Sequence, residues 1–202
     1  MGDFFDQIEF FGSFPSEKQC PVHNIPEFAF IGRSNVGKSS LINYLANQAS
    51  LAKTSKKPGK TQLINYFRVD ASWCMVDLPG YGYAVASKKD KAQWKKMIYN
   101  YLENRRNLVN TFVLLDSRLK LQKIDFEFIN WMGSKGLPFA IIFTKTDGVP
   151  KTKLEGNISR IEDELSKTWQ DLPVRFLSSS ANKSGRDEIL TYIDQINKSL
   201  TE

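Results

Sequence analysis

Between Gly32 and Ser40 the chain reads GRSNVGKSS, so that a glycine, four residues and then Gly-Lys-Ser stand in a row. Gly32 and Gly37 lack a Cβ, which lets a loop through Arg33, Ser34, Asn35 and Val36 wrap closely around a triphosphate with its backbone N–H groups turned inward. A helix starting just after it would add the N–H groups of its first turn, at Lys38, Ser39 and Ser40. Lys38 would bring a mobile positive charge to the β- and γ-phosphates. Ser39 would offer its hydroxyl to Mg²⁺, a hard cation that keeps most of its waters and needs few protein oxygens. The spacing carries this meaning only between a strand and a helix. Both are present: Glu27-Phe28-Ala29-Phe30-Ile31 is a short apolar run, and Leu41, Ile42, Leu45 and Ala46 fall at helical spacing after it. A chance glycine turn would account for neither the lysine, the serine nor the flanks.

Three further segments follow apolar runs. Asp77-Leu78-Pro79-Gly80 comes after Trp73-Cys74-Met75-Val76; an aspartate at a strand end can hold a magnesium-bound water, and a glycine N–H can meet the γ-phosphate. In isolation these are ordinary turn formers, but their place after a strand and downstream of the phosphate loop favours chemistry. Thr144-Lys145-Thr146-Asp147 follows Phe139 to Phe143. The Asp147 carboxylate can accept from guanine N1–H and the 2-amino group, a donor pair that adenine lacks, and unpaired buried acceptors are costly enough to exclude the wrong base. Lys145 would lay its alkyl stem along the purine. Ser178-Ser179-Ser180-Ala181 is then expected to place a backbone N–H at guanine O6.

Alternating elements must position these loops. Gln62 to Val69 alternates as a half-exposed strand does, and the turn at Asp70-Ala71-Ser72 joins it to Trp73 to Val76 as an antiparallel hairpin. Thr111 to Leu115, Phe139 to Phe143 and Val174 to Leu177 read as buried strands. Amphipathic helices lie between them, with Trp94, Met97, Ile98, Tyr101 and Leu102 on one face, Leu154, Ile158, Ile161 and Leu165 on another, and Ile189, Leu190, Ile193 and Ile196 on a third. The expectation is an α/β P-loop NTPase fold in three layers, its mostly parallel six-stranded sheet carrying one antiparallel strand and helices on both faces. Ligands bind such sheets at the carboxyl ends of the strands, where these motifs recur.

With 202 residues, 41% of them hydrophobic, and no Pro/Gly/Ser linker, the chain reads as a single domain, residues 1–202. Cys20 and Cys74 suit packing better than a disulfide framework, and the single histidine, His23, cannot anchor a metal alone. The start, MGDFFDQIEFF, has acids where a signal peptide needs bases and Asp6 where a myristoylation motif needs Ser or Thr. No apolar stretch approaches the roughly 18 residues of a membrane span. The expectation is a cytoplasmic protein. For residues 1–25, with Phe4, Phe5, Phe10 and Phe11, the pattern allows an extra edge element or a partner contact.

GRSNVGKSSLIN, then Pro58-Gly59-Lys60-Thr61-Gln62, DLPGYGYA from Asp77, TKTD from Thr144 and the segment Ser178 to Gly185 together resemble the EngB family (also YsxC or YihA) of small bacterial GTPases, in the translation-factor-related class of P-loop GTPases. The resemblance spans nearly the whole chain. Pro26-Glu27-Phe28-Ala29-Phe30 and Asp116-Ser117-Arg118 also fit, whereas Ser180-Ala181 departs from the acidic or polar residue often found in the last loop. The resemblance implies GTP or GDP as ligand with Mg²⁺. It makes Thr61 the switch I threonine that reaches the metal beside Ser39 and Asp77, lets Gly59 to Leu63, including Lys60 and Gln62, line the nucleotide, and makes Gly80 to about Lys91 switch II. As partner it implies the large ribosomal subunit, with roles in its assembly and in normal cell division and septation; neither DNA nor membrane is expected, and a monomer is.

Two features bear on hydrolysis. Tyr81 stands after Gly80, where signalling GTPases carry the glutamine that orients water, so slow intrinsic hydrolysis is expected. Asn35 occupies a position at which several resembling GTPases hold K⁺ in place of an arginine finger; the alternative is that its side chain satisfies loop backbone. Lys38, Thr61, Gly80 and Asn35 are thus the expected catalytic set. The formal charge of +6 is clustered at Lys53, Lys56, Lys57 and Lys60 and again at Lys88, Lys89, Lys91, Lys95 and Lys96. Beside Trp94, Tyr99, Tyr101, Arg105 and Arg106 such a face could hold RNA backbone, although lysine runs are usually just solvated. A P-loop ATPase or small-molecule kinase would share the phosphate loop without needing Asp147. A non-hydrolysing GTP-binding scaffold is the other reading.

Overall fold

The computed structural model describes residues 4–52, 63–82 and 88–200, and of residues 88–91 the backbone alone. Within these, seven strands form one sheet: β1 (Ile8–Phe14), β2 (Glu27–Gly32), β3 (Ile64–Val69), β4 (Trp73–Asp77), β5 (Leu108–Asp116), β6 (Phe139–Thr144) and β7 (Arg175–Leu177). Their order is β1-β3-β4-β2-β5-β6-β7. β2 lies parallel to both β4 and β5, and β6 and β7 extend the parallel set, while β3 pairs antiparallel with β4 and with β1. One strand, β3, therefore runs against the rest.

Successive side chains of a strand leave on opposite faces, and β2 shows what that requires at the centre of a sheet. Phe28 and Phe30 enter one core with Leu41, Ile42 and Leu45 of α1 (Lys38–Leu45) and Ile189, Leu190 and Ile193 of α5 (Arg186–Ser199). Ala29 and Ile31 enter the other, beneath α2 (Lys88–Asn104), α3 (Lys123–Ser134) and α4 (Lys151–Ser166). The three-layer α/β architecture is the one expected from the sequence. After β2 the chain turns to one side for β3 and β4 and returns to the other for β5, so the carboxyl end of β2 is the switch point of the sheet.

The differences lie at the periphery. A seventh strand, β1, comes from the N-terminal segment and extends the sheet at the edge beside β3, with a register shift between Phe10 and Gly12. Asp70 fixes its start by accepting from the Asp6 and Gln7 N–H groups at 3.1 and 2.7 Å. At the opposite edge β7 is short, and Val174 and Leu177 are exposed, so the last run is not the buried strand expected. Helix α3, between β5 and β6, is an element the apolar pattern did not separate.

The amino end of β2 is pinned by a charge. Glu27 is fully buried, and its carboxylate accepts from Arg105 Nη2 at 2.6 Å, Arg105 Nε at 2.9 and 3.0 Å, Tyr66 Oη at 3.0 Å and Tyr101 Oη at 2.5 Å. Arg105 also donates to Pro21 O at 2.6 Å. Arg105, read from the sequence as part of a basic surface, is therefore committed to the core, and so is Tyr101. Removing one partner of such a pair leaves the other charge buried without compensation. Arg105→Ala is expected to lower the unfolding free energy by about 3 kcal/mol, measured by urea denaturation; a loss below ~1 kcal/mol would show that Tyr66 and Tyr101 hold the carboxylate unaided.

Candidate nucleotide site

The residues from Gly32 to Gly37 connect β2 to α1 across the switch point. Asn35 (φ 63°) and Gly37 (φ 104°) adopt left-handed backbone, which turns the chain tightly enough for α1 to begin at Lys38. Gly32 and Gly80 are required by close approach. A Cβ at Gly32 would lie 2.8 Å from Leu114 O, and one at Gly80 would lie 2.6 Å from Gly32 O and 3.3 Å from Ser34 N. The Asp77-Leu78-Pro79-Gly80 segment is thus pressed directly against the phosphate loop, with Leu78 N–H bonded to Phe30 O at 3.0 Å.

Lys38 lies in this seam, its ammonium donating to Asp77 Oδ1. Asp77, the last residue of β4, is buried, and Asn65 Nδ2 donates to its other oxygen at 3.4 Å. Burial pushes the Lys38 ammonium down to about 7 from an ordinary value of 10.5. Ser39 sits in the first turn of α1, and the Ser34 hydroxyl is buried without a hydrogen-bond partner among the described residues. Those residues contain no group of three or more His, Cys, Asp or Glu able to hold a metal. One hydroxyl, one carboxylate and phosphate oxygens form the donor set Mg²⁺ accepts with its waters in place.

The ends of β6 and β7 complete the site. Thr144 Oγ1 donates to Val36 O at 2.6 Å, and Lys145 Nζ to Asn35 O at 2.5 Å and Asp116 Oδ2 at 3.0 Å. Asp116 is itself held by Arg118, through Nε at 2.9 Å and Nη2 at 2.8 Å. Burial raises its carboxyl, but the bonds from Arg118 and Lys145 outweigh that and bring it down to about 2. The Asp116–Lys145 contact, 29 residues apart in sequence, could not be read from spacing. Thr146 N–H reaches Ser178 O at 3.4 Å, and Ser179 Oγ donates to Asp147 Oδ1 while accepting from the Ala181 and Asn182 N–H groups at 3.2 Å. Asp147 remains exposed at the rim, as does Ser180. The loop expected to offer an N–H to a base therefore also aims the aspartate.

Of the residues expected at the site, Gly32 to Ser40, Asp77 to Gly80, Thr144 to Asp147 and Ser178 to Ala181 converge on the carboxyl edge of the sheet, while Leu63 is exposed just before β3. Gly59, Lys60, Thr61 and Gln62 lie outside the described residues, as do Lys53, Lys56 and Lys57. Asn35 is exposed, and among the described residues its side chain makes no hydrogen bond to the loop backbone, the alternative role considered for it. Tyr81 is buried and stacks on Phe128 with ring centroids 4.3 Å apart. Cys20 and Cys74 are free and buried, as packing residues are. Among the described residues no helix is long and apolar enough to cross a membrane.

A phosphate loop at the switch point, a DxxG segment packed against it and a TKxD segment bonded to its carbonyls define a P-loop GTPase domain. A family model described as a 50S ribosome-binding GTPase matches residues 27–145. The probable GTP-binding protein EngB of Bacteroides thetaiotaomicron is 54% identical over 190 residues, 94% of this chain and 94% of its own. That of Phocaeicola vulgatus is 52% identical over 192 residues, 95% and 96% of the two chains. The chain belongs to the EngB family of GTP-binding proteins, and GTPase chemistry is the activity of its class. A crystal structure of a probable GTP-binding protein engB shares the fold with a TM-score of 0.65 at 22% identity, over 86% of this chain and 99% of that one. Era in complex with MgGDPNP and nucleotides of 16S ribosomal RNA does so with a TM-score of 0.64 at 20% identity, over 85% and 56%.

Asp147→Asn is expected to weaken GDP by at least about a hundredfold and to make xanthosine diphosphate the preferred ligand, since the amide offers N–H where guanine offers N–H. Isothermal titration with both nucleotides measures this; unchanged GDP affinity would place the base elsewhere.

Proposed function

We propose that the protein is a slow, Mg²⁺-dependent GTPase that works as a nucleotide switch in assembly of the large ribosomal subunit, and through it in cell division. The observation that carries the switch is the pressing of Gly80 against Gly32 O: a γ-phosphate bound to one segment must be felt by the other. Lys38 and the N–H groups from Arg33 to Ser40 would hold the phosphates, and Asp147, Lys145 and the Ser178 to Ala181 loop the guanine. Ser39, Asp77 and Thr61 would hold Mg²⁺, which when bound offsets charge on the β- and γ-phosphates. A phosphate arriving at Lys38 would take the ammonium from Asp77, leaving that carboxylate for a magnesium-bound water.

Slow intrinsic turnover follows from Tyr81, whose ring is buried against Phe128 and holds no water-orienting group toward the loop. Asn35, exposed and in left-handed backbone, is the residue assigned to K⁺ as an activator. A ribosomal partner is supported by the description of the matching family model, by the net charge of +6 and by exposed Lys95 and Lys96 on α2, a helix that begins at Lys88 within the segment read as switch II. The same reading makes it a cytoplasmic monomer that uses neither DNA nor membrane.

Two measurements test this. Phosphate release in KCl is expected to exceed that in NaCl by about tenfold or more, on the scale of a supplied transition-state charge; equal rates would remove Asn35 and K⁺ from the mechanism. In sedimentation with purified ribosomal subunits, the protein loaded with GMPPNP is expected to travel with the large subunit and the GDP form to stay behind. Equal partition of the two forms would refute the switch, and travel with neither subunit would refute the partner.

A further inference from the structure

We propose that Asp125 is a positioning residue for the γ-phosphate contact: through Arg33 and Tyr81 it fixes where the Gly80 main chain stands against the phosphate loop. The proposal rests on the reading of Gly80 as the γ-phosphate contact. Asp125 lies in the first turn of α3 and is 1% exposed. Its two oxygens accept from Arg33 Nε at 3.1 and 2.9 Å. Arg33 is the residue immediately after Gly32. On the other side stands Tyr81, the residue immediately after Gly80, its ring stacked on Phe128 one turn further along α3 and its hydroxyl beside the Asp125 carboxyl without completing a well-aligned hydrogen bond.

One buried carboxylate therefore touches the successors of the two glycines whose backbones are in closest approach. The contact has little slack. A Cβ at Gly80 would sit 2.6 Å from Gly32 O and 3.3 Å from Ser34 N. A guanidinium held by a buried carboxylate is a short, directional link, so Arg33 cannot shift without α3. Burial pushes the Asp125 carboxyl up, and Arg33 works against that, so each charge depends on the other. GDP binding uses the loop itself. GTP binding also needs the Gly80 N–H at a defined distance, and that distance is what Asp125 sets. Asp125 touches no nucleotide in this arrangement; it acts through its neighbours.

The test compares equilibrium affinities of the full chain for GDP and GMPPNP. Asp125→Asn is expected to weaken GMPPNP about tenfold, the scale of one lost charge-assisted hydrogen bond, with GDP unchanged within about twofold. Tyr81→Phe, which keeps the stack on Phe128, is expected to move the ratio in the same direction by a smaller factor. Asp125 also accepts from Gln122 N–H at 3.3 Å in the α3 cap, so Tyr81→Phe, which leaves the cap intact, repeats the measurement independently of helix stability. Equal weakening of both nucleotides, or of neither, in Asp125→Asn and Tyr81→Phe overturns the positioning role. Gly80→Ala separates that failure from a deeper one: it is expected to weaken GMPPNP more than GDP, and if it too leaves the ratio unmoved, Gly80 is not the γ-phosphate contact.

Discussion

The carboxyl edge of the sheet depends on the carbonyl groups of the phosphate loop being held from outside. A loop that turns its N–H groups toward an anion must turn its C=O groups the other way, and buried carbonyls require donors. Here Thr144 Oγ1 supplies one for Val36 O and Lys145 Nζ one for Asn35 O, both from the end of β6. Two segments 108 and 110 residues apart are thereby fixed to each other. The base-reading segment and the phosphate-binding segment are in this sense one structure. Asp116 and Arg118, at the end of β5, extend it by holding Lys145 at its far side.

The same geometry explains which parts of the molecule were legible in its sequence. Loop chemistry at strand ends is local: glycines at close approaches, a lysine and a serine at fixed spacing, an aspartate after an apolar run. These survive as short strings, and the three-layer fold follows from the alternation that carries them. Edge strand β1 was legible only as one of two readings, an edge element or a partner contact, because an edge needs little beyond backbone pairing and of its apolar residues only Ile8 is buried, with Phe10 and Phe11 exposed. In α3, Phe126 and Trp131 are partly buried along with Phe128, Ile129 and Met132, which blurs the single stripe that identifies a helix. Arg105 illustrates a third limit. Its pairing with Glu27 spans 78 residues, and neither residue's neighbours distinguish a buried charge from a solvated one.

Charges are buried at both ends of β2, and for different ends. At the amino end Glu27 is surrounded by three donors, Tyr66, Tyr101 and Arg105, which together leave its carboxylate little room to exchange partners. At the carboxyl end Lys38 and Asp77 have mainly each other. A pair with so few alternatives, buried at a cost in desolvation that mutual attraction repays only in part, is readily exchanged for a stronger anion. The first arrangement suits an anchor and the second a binding site. Their separation along one central strand keeps exchange at the nucleotide from loosening the fold.

Helix α2 connects these two regimes. Its carboxyl half is bonded into the core, with Ile98, Tyr101 and Leu102 buried and Tyr101 and the adjoining Arg105 on Glu27. Farther toward its amino end, Ala92, Gln93, Lys95 and Lys96 are exposed, and the helix starts six residues after Gly82. Any displacement of the segment after Gly80 must then be absorbed before Met97, because beyond it each step would break a buried hydrogen bond or a packed side chain. The exposed lysines lie on the amino-terminal part of the helix, before Met97. A nucleotide-dependent change in the presentation of positive charge is therefore compatible with an unmoving core, and the boundary between the two lies within this helix.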